Sequence, residues 1–140
     1  MSKQFKIVSQ FVKDMSSETP DVETYFYVKE YLKNYNLDID IKTKPIKNRM
    51  IEIDTKLSYT DKGKTKNKSY FEITYASIVK IDEQIKERKI IEKIILCDVQ
   101  KEIYPNLEKI FINLLSNSGF PGVKFGKKVD FEQLYNQRLN

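Results

Sequence analysis

The chain has 140 residues, 40% of them hydrophobic, 12% aromatic and 32% charged, and its four glycines and four prolines argue against long disordered linkers. The net charge of +5 would suit a polyanion, yet only Arg49, Arg88 and Arg138 carry the guanidinium fork that reads phosphates and base edges. There is no histidine, and the one cysteine, Cys97, can neither close an internal disulfide nor build a zinc site, so the commonest general base and the usual metal centres are excluded.

This length fits a single domain over residues 1–140. The opening MSKQFKIVSQF alternates apolar and polar residues, so it predicts a strand and not a secretory signal. No apolar run approaches the ~20 residues that cross a bilayer, and a lone cysteine suits a reducing cytoplasm, so a cytoplasmic protein without membrane insertion is expected.

Residues 4–12 predict the first strand. It runs into Lys13, Asp14, Ser16, Ser17, Glu18 and Pro20, a polar stretch that reads either as a turn or as a surface for another molecule. Residues 21–36, DVETYFYVKEYLKNYN, stay open between a helix entered through Pro20 and an aromatic crossover between strands. Residues 37–42 alternate Leu37, Ile39 and Ile41 against Asp38, Asp40 and Lys42, and residues 50–59 set Ile51, Ile53, Leu57 and Tyr59 on one face. TDKGKTKNK, residues 60–68, supplies hairpin chemistry around Gly63, and residues 69–81 form a further strand with Phe71, Ile73, Tyr75 and Val79 on one side.

After about residue 82 the period lengthens. Residues 104–119 predict the clearest helix, with a stripe of Leu107, Ile110, Phe111 and Leu114, Pro105 in its first turn and Gly119 as its stop. A last short helix is expected from Asp130 through Phe131, Leu134 and Tyr135. Strands first and helices afterwards predict an α+β layer fold. No GxxxxGK[ST], GxGxxG or GxSxG pattern occurs, and most carboxylates fall on the polar faces of strands and helices, so neither an enzyme nor a cofactor is expected. What remains is a binding protein.

Four patches narrow what it binds. The first strand ends in Phe11-Val12-Lys13-Asp14-Met15-Ser16-Ser17-Glu18-Thr19-Pro20, and the fourth reads Tyr70-Phe71-Glu72-Ile73-Thr74-Tyr75-Ala76-Ser77-Ile78-Val79. Cys97 and then Tyr104-Pro105 lead into the long helix, and the chain closes with Gly119-Phe120-Pro121-Gly122-Val123 and Val129-Asp130-Phe131-Glu132-Gln133-Leu134-Tyr135. In this order, from about Phe5 to Leu139, the chain resembles the SecB family of protein-export chaperones. The first patch is similar to the family's aromatic-x-K-D-[IL]-S-x-E-x-P signature. The chain departs from the family in its basic net charge, in Lys62, Lys64, Lys66 and Lys68 on the hairpin loop, and in Pro105-Asn106-Leu107-Glu108 where the family has P-Y-A-R.

The resemblance implies a four-stranded antiparallel sheet with two to three helices packed after it and on one side. It also implies a homo-oligomer, a dimer of dimers with the long helices at its centre. Such a protein is a holdase that uses no ATP, keeps unfolded precursor proteins in apolar grooves and passes them to the SecA translocase motor. Asp14, Glu18 and Glu72 match the family's acidic SecA contact. The crossover residues Tyr25, Phe26, Tyr27, Tyr31 and Leu32, with Tyr75 and Ile78 from the sheet, are the candidate client groove. The second face of the long helix, Ile112 and Leu115, is the candidate oligomer contact. Two other readings stay open: a SecB-like chaperone of a toxin–antitoxin system, and a basic adaptor or nucleic-acid binder on the same fold. The basic loop 60–68 reads either as a solvated loop or as the mark of a changed partner or a preference for acidic clients.

Overall fold

The computed structural model describes residues 4–125 and 129–138. Strands β1 (Phe5–Glu18), β2 (Asn36–Pro45), β3 (Met50–Thr60) and β4 (Tyr70–Ile81) form one antiparallel sheet in the order β1-β4-β3-β2. The alternation read from the sequence sets its two faces. Ile53, Leu57 and Tyr59 of β3 and Phe71, Ile73, Tyr75, Val79 and Ile81 of β4 are buried beneath the helices. Glu52, Asp54, Lys56, Glu72 and Thr74 project from the other side and are half-buried. One packed and one solvated face is the usual state of an antiparallel sheet.

β1 is longer than its sequence suggests. The chain does not turn after residue 12 but stays paired with β4 as far as Glu18 opposite Tyr70. The register shifts between Ile7 and Ser9 and again between Val12 and Asp14, leaving Val8 and Lys13 as extra residues. Such bulges keep a polar, serine-rich stretch in the ladder while increasing its twist. The hydroxyls of Ser17 and Ser118 lie 2.6 Å apart, which ties the end of β1 to the end of the long helix.

Residues 21–36 combine both expected forms. Helix α1 (Val22–Glu30) is capped by Asp21, whose Oδ1 accepts from the Thr24 N–H at 2.7 Å. A single 3-10 turn, Leu32–Asn34, then delivers the chain to β2, so α1 is the crossover from one edge of the sheet to the other. Its anchor is Tyr25, which packs on Phe120 at 5.3 Å and donates to the Gly119 carbonyl at 2.9 Å. Gly119 has a φ of +100°, and a Cβ there would lie 2.6 Å from the Tyr25 ring, so only glycine fits.

The long helix begins earlier than predicted. Helix α2 (Arg88–Lys93) widens into a π-turn at Ile94–Asp98, where the Val99 N–H reaches the Ile94 carbonyl, and continues as α3 (Val99–Asn117). Pro105 therefore sits inside α3, where it removes one helical N–H, and burial of Tyr104 and Leu107 on either side holds the helix in place. The fully buried stripe is Ile103, Leu107, Phe111 and Leu115. Leu115 thus belongs to the protomer core and not to an outward face, because it follows Phe111 by four residues and shares its side of the helix. Ile110, Ile112 and Leu114 are half-buried. Gln100, also buried, accepts from the Thr55 hydroxyl at 3.0 Å and donates to the Ile95 carbonyl at 3.4 Å, joining sheet to π-turn. Helix α4 (Phe131–Arg138) starts on Asp130, whose Oδ1 accepts from the Gln133 N–H at 3.0 Å, and seats Phe131 edge-on against Tyr104.

Candidate functional site

Alternation along β2 turns Ile39 and Ile41 toward the helices, and the spacing of α4 puts Phe131, Leu134 and Tyr135 on one side of that helix. With Leu96 from the π-turn they line a groove along the sheet edge. One part has a volume of about 590 Å³ between Ile41, Thr43, Ile95, Leu96 and Tyr135. An adjoining part of about 180 Å³ lies between Ile39, Leu96, Phe131 and Leu134. Ile41, Leu96 and Tyr135 line both, so the two are continuous. Among the described residues β2 pairs only with β3, which leaves its outer edge open along the groove. The Lys101 ammonium donates to Glu132 at 2.7 Å and fixes α4 as the groove's far wall, and that contact lowers the Glu132 pKa and raises that of Lys101.

The predicted client residues divide. Phe26 is 62% exposed, and Tyr27 and Tyr31 pair their rings at 4.6 Å on the outer side of α1. Tyr25 is spent anchoring α1, and Leu32 packs partly against the core. Tyr75 is buried on the helix side, where its hydroxyl donates to Gln10 at 3.3 Å and accepts from Asn106 at 3.5 Å. Ile78 lies on the opposite, solvated face, because positions 75 and 78 differ by an odd number along a strand. Tyr75 and Ile78 therefore do not form one surface, and Tyr75 has no ring face to offer a client.

The three predicted acidic residues do share a face. Asp14 stands opposite Thr74, Ser16 opposite Glu72 and Glu18 opposite Tyr70, and all project from the solvated side. Much of the charge there is compensated. Lys13, displaced by the second bulge, reaches past Ala76 to Glu52 at 2.6 Å and Asp54 at 2.9 Å. Hydrogen bonds from Lys13 and then Asp54 hold the Glu52 carboxyl below its usual pKa, and the same two carboxylates push Lys13 up. Glu72 pairs with Lys56 at 3.4 Å, and Asp38 with Lys62 at 3.1 Å. Among the described residues Asp14 and Glu18 make no ion pair.

A third surface lies at the edge of β1. Val12 and Met15 face the helix side yet remain 41% and 47% exposed. The half-buried Ile110 and Leu114 lie between the two points where α3 is tied to this edge, Asn106 through Tyr75 to Gln10 and Ser118 to Ser17. Of the three surfaces, the sequence missed the β2 groove. LDIDIK and the closing helix showed their apolar sides, but nothing in one dimension says that those sides meet at an open edge. Among the described residues no cluster of Asp, Glu or Cys could hold a metal ion, and no helix is long and apolar enough to cross a membrane.

The profile of the family described as "Preprotein translocase subunit SecB" matches residues 1–140. A candidate protein-export protein SecB from Pelagibacter ubique is 54% identical over 140 residues and covers all of both chains. The protein-export protein SecB of Parvibaculum lavamentivorans is 24% identical over 135 residues, covering 96% of this chain and 79% of its own. Among solved structures, a SecB-like chaperone of Mycobacterium tuberculosis, in complex with a peptide from an antitoxin, superposes with a TM-score of 0.66 at 8% identity, covering 90% of this chain and 88% of the other. That likeness concerns the fold. The sequence matches, which span the whole chain, carry the assignment: the chain belongs to the SecB family.

Proposed function

We propose that the protein is an ATP-independent holdase that keeps unfolded precursor proteins in the β2 groove and releases them to the export machinery. The observation that carries this is a groove with an apolar floor of Ile39, Ile41, Leu96 and Leu134 and polar sides that include Lys42, Thr43 and Glu92, beside an open strand edge. An extended client segment can add main-chain hydrogen bonds to β2 while alternate side chains enter between Ile39, Ile41, Leu96 and Leu134. Each aromatic client side chain that becomes buried removes roughly 150–250 Å² from water, worth several kcal/mol at about 25 cal/mol per Å². Ordering the client offsets much of that, so long contacts are needed, and the exposed Phe26 and Tyr31 with the half-buried Tyr27, on and just after α1, would extend them. The Mycobacterium tuberculosis chaperone, solved with a bound peptide, is a precedent on the same fold.

Asp14 and Glu18, without an ion pair among the described residues, are the carboxylates best placed to meet a basic segment of a SecA-type motor, and Glu72 joins them if Lys56 yields. The edge of β1 fits a second copy of the chain. It is long, carries exposed Phe11, Val12 and Met15, and lies beside Ile110 and Leu114 of α3. Ile112 would border that contact, whereas Leu115 lies beneath it. The test is dilution of chemically unfolded precursor into buffer of high salt without nucleotide. A holdase suppresses light scattering near stoichiometry, and suppression weakens in Leu134→Asp. Unchanged scattering with the wild-type protein would end this reading.

A further inference from the structure

The charge of this chain is not spread evenly around the proposed groove. Residues 61–68 carry four lysines and one aspartate in a chain of net charge +5. This loop stands over the start of β2. Asn36 pairs with Thr60, the Tyr35 hydroxyl accepts from the Ser69 N–H at 3.0 Å, and Lys62 reaches Asp38 at 3.1 Å. The loop is braced internally: Asp61 accepts from the Gly63 N–H at 2.8 Å, and Lys68 donates to the Gly63 carbonyl at 2.6 Å. Lys64 and Lys66 are left exposed at its tip, without an ion pair among the described residues. At the other end of β2, Lys42 lines the groove, and Lys47 is exposed in the turn to β3. Neither has an ion pair among the described residues. The acidic neighbours are few. Glu92 and Asp40 line the groove beside Lys42, and Asp38 is paired with Lys62.

Resting on the holdase reading of this groove, we infer that it selects apolar segments flanked on both sides by carboxylates. The groove accepts an extended chain, and lysines stand beyond each of its ends. β2 spans Asn36–Pro45, roughly 30 Å at about 3.3 Å per residue, with the lysine loop at its start and Lys47 just past its end. The preferred client therefore carries acidic residues about eight to ten positions apart around an apolar, β-prone core. Lysine without arginine suits this role, since point charges attract carboxylates in any orientation and impose little geometry on varied clients.

The experiment is fluorescence anisotropy with four labelled peptides. One apolar core is flanked by neutral residues, by glutamates nine positions apart, or by glutamates four positions apart, and a scrambled polar peptide carries the same glutamates. At low salt the nine-spaced peptide is expected to bind about fivefold or more tighter than the neutral one, with the preference gone at about 0.5 M salt. K64Q/K66Q combined with K47Q, which lie outside the groove lining, should abolish the preference and leave the neutral peptide's affinity unchanged. Equal affinity of the three core peptides overturns the inference while the holdase reading stands. Equally tight binding of the polar glutamate peptide also overturns it, because the lysines would then be a general anion surface. Failure of every peptide to bind removes the inference and the holdase reading together.

Discussion

Single residues show where the fold is constrained by geometry and where it tolerates an imperfect fit. Gly119 holds a left-handed conformation under the Tyr25 ring, so Gly119→Ala meets both backbone strain and a clash. A loss of at least about 1–2 kcal/mol is expected in urea unfolding, with Tyr25→Phe losing only about 0.5–1.5 kcal/mol for its single hydrogen bond. Ser77 is the opposite case. Its hydroxyl is buried with no hydrogen-bond partner among the described residues, so Ser77→Ala should leave stability unchanged or raise it by up to about 1 kcal/mol, and a clear loss would point to a partner the geometry lacks. Glycine as a helix stop was legible in the sequence. The cause of its necessity was not, because Tyr25 lies far from it along the chain.

The Lys13–Glu52–Asp54 contact gives a pH dependence with a definite sign. Glu52 titrates below its ordinary value of 4.5, so its contribution is present above that value and is lost as pH falls through the lower folded one. Lys13 titrates above 10.5, so its contribution is present below that value and is lost as pH rises through the higher folded one. The difference in melting temperature between wild type and Lys13→Gln should be flat from near neutral pH to about pH 9 and close in the acid limb. A difference that persists unchanged to pH 3 would mean that Lys13 acts through packing of its stem and not through its charge.

At the scale of elements, β3 and β4 could be read directly, because alternation through most of Met50–Thr60 and Tyr70–Ile81 leaves one face to bury. The second half of β1 could not. Two bulges break its period, and its serines and charges look like a turn until Glu72 and Phe71 are found paired with them. In α3 the apolar residues at 110, 111, 112, 114 and 115 surround the helix, so spacing alone could not tell Leu115 in the core from Leu114 beside it. The exposed edge of β1 carries the prediction for this scale. Met15→Asp should leave the circular dichroism spectrum intact and reduce the mass seen by sedimentation, whereas Ile46→Asp, exposed but away from that edge, should not.

Taken whole, the molecule has two open sheet edges of different character. β1 is long and displays Phe11, Val12 and Met15, which fits pairing with another copy. β2 shows charge on its solvated face, ends at Pro45 and has a groove of mixed apolar and polar lining on its helix side, which fits a transient guest. The family could be read from four short patches because those patches sit at folding landmarks: the end of β1, the middle of β4, the entry to α3 and the start of α4. The groove could not, because its walls come from three separate segments, around residues 39–43, 95–96 and 131–135, and become neighbours only when α4 folds back onto the π-turn.

Hydrogen exchange with and without a bound unfolded client is the measurement that tests this groove most directly. Backbone amides in Asn36–Pro45 should gain protection on client addition, and Leu134→Asp should remove that gain. If the client binds while these amides exchange as before, and protection appears only around Phe26, Tyr27 and Tyr31, the guest lies on α1 and the edge of β2 is not its site.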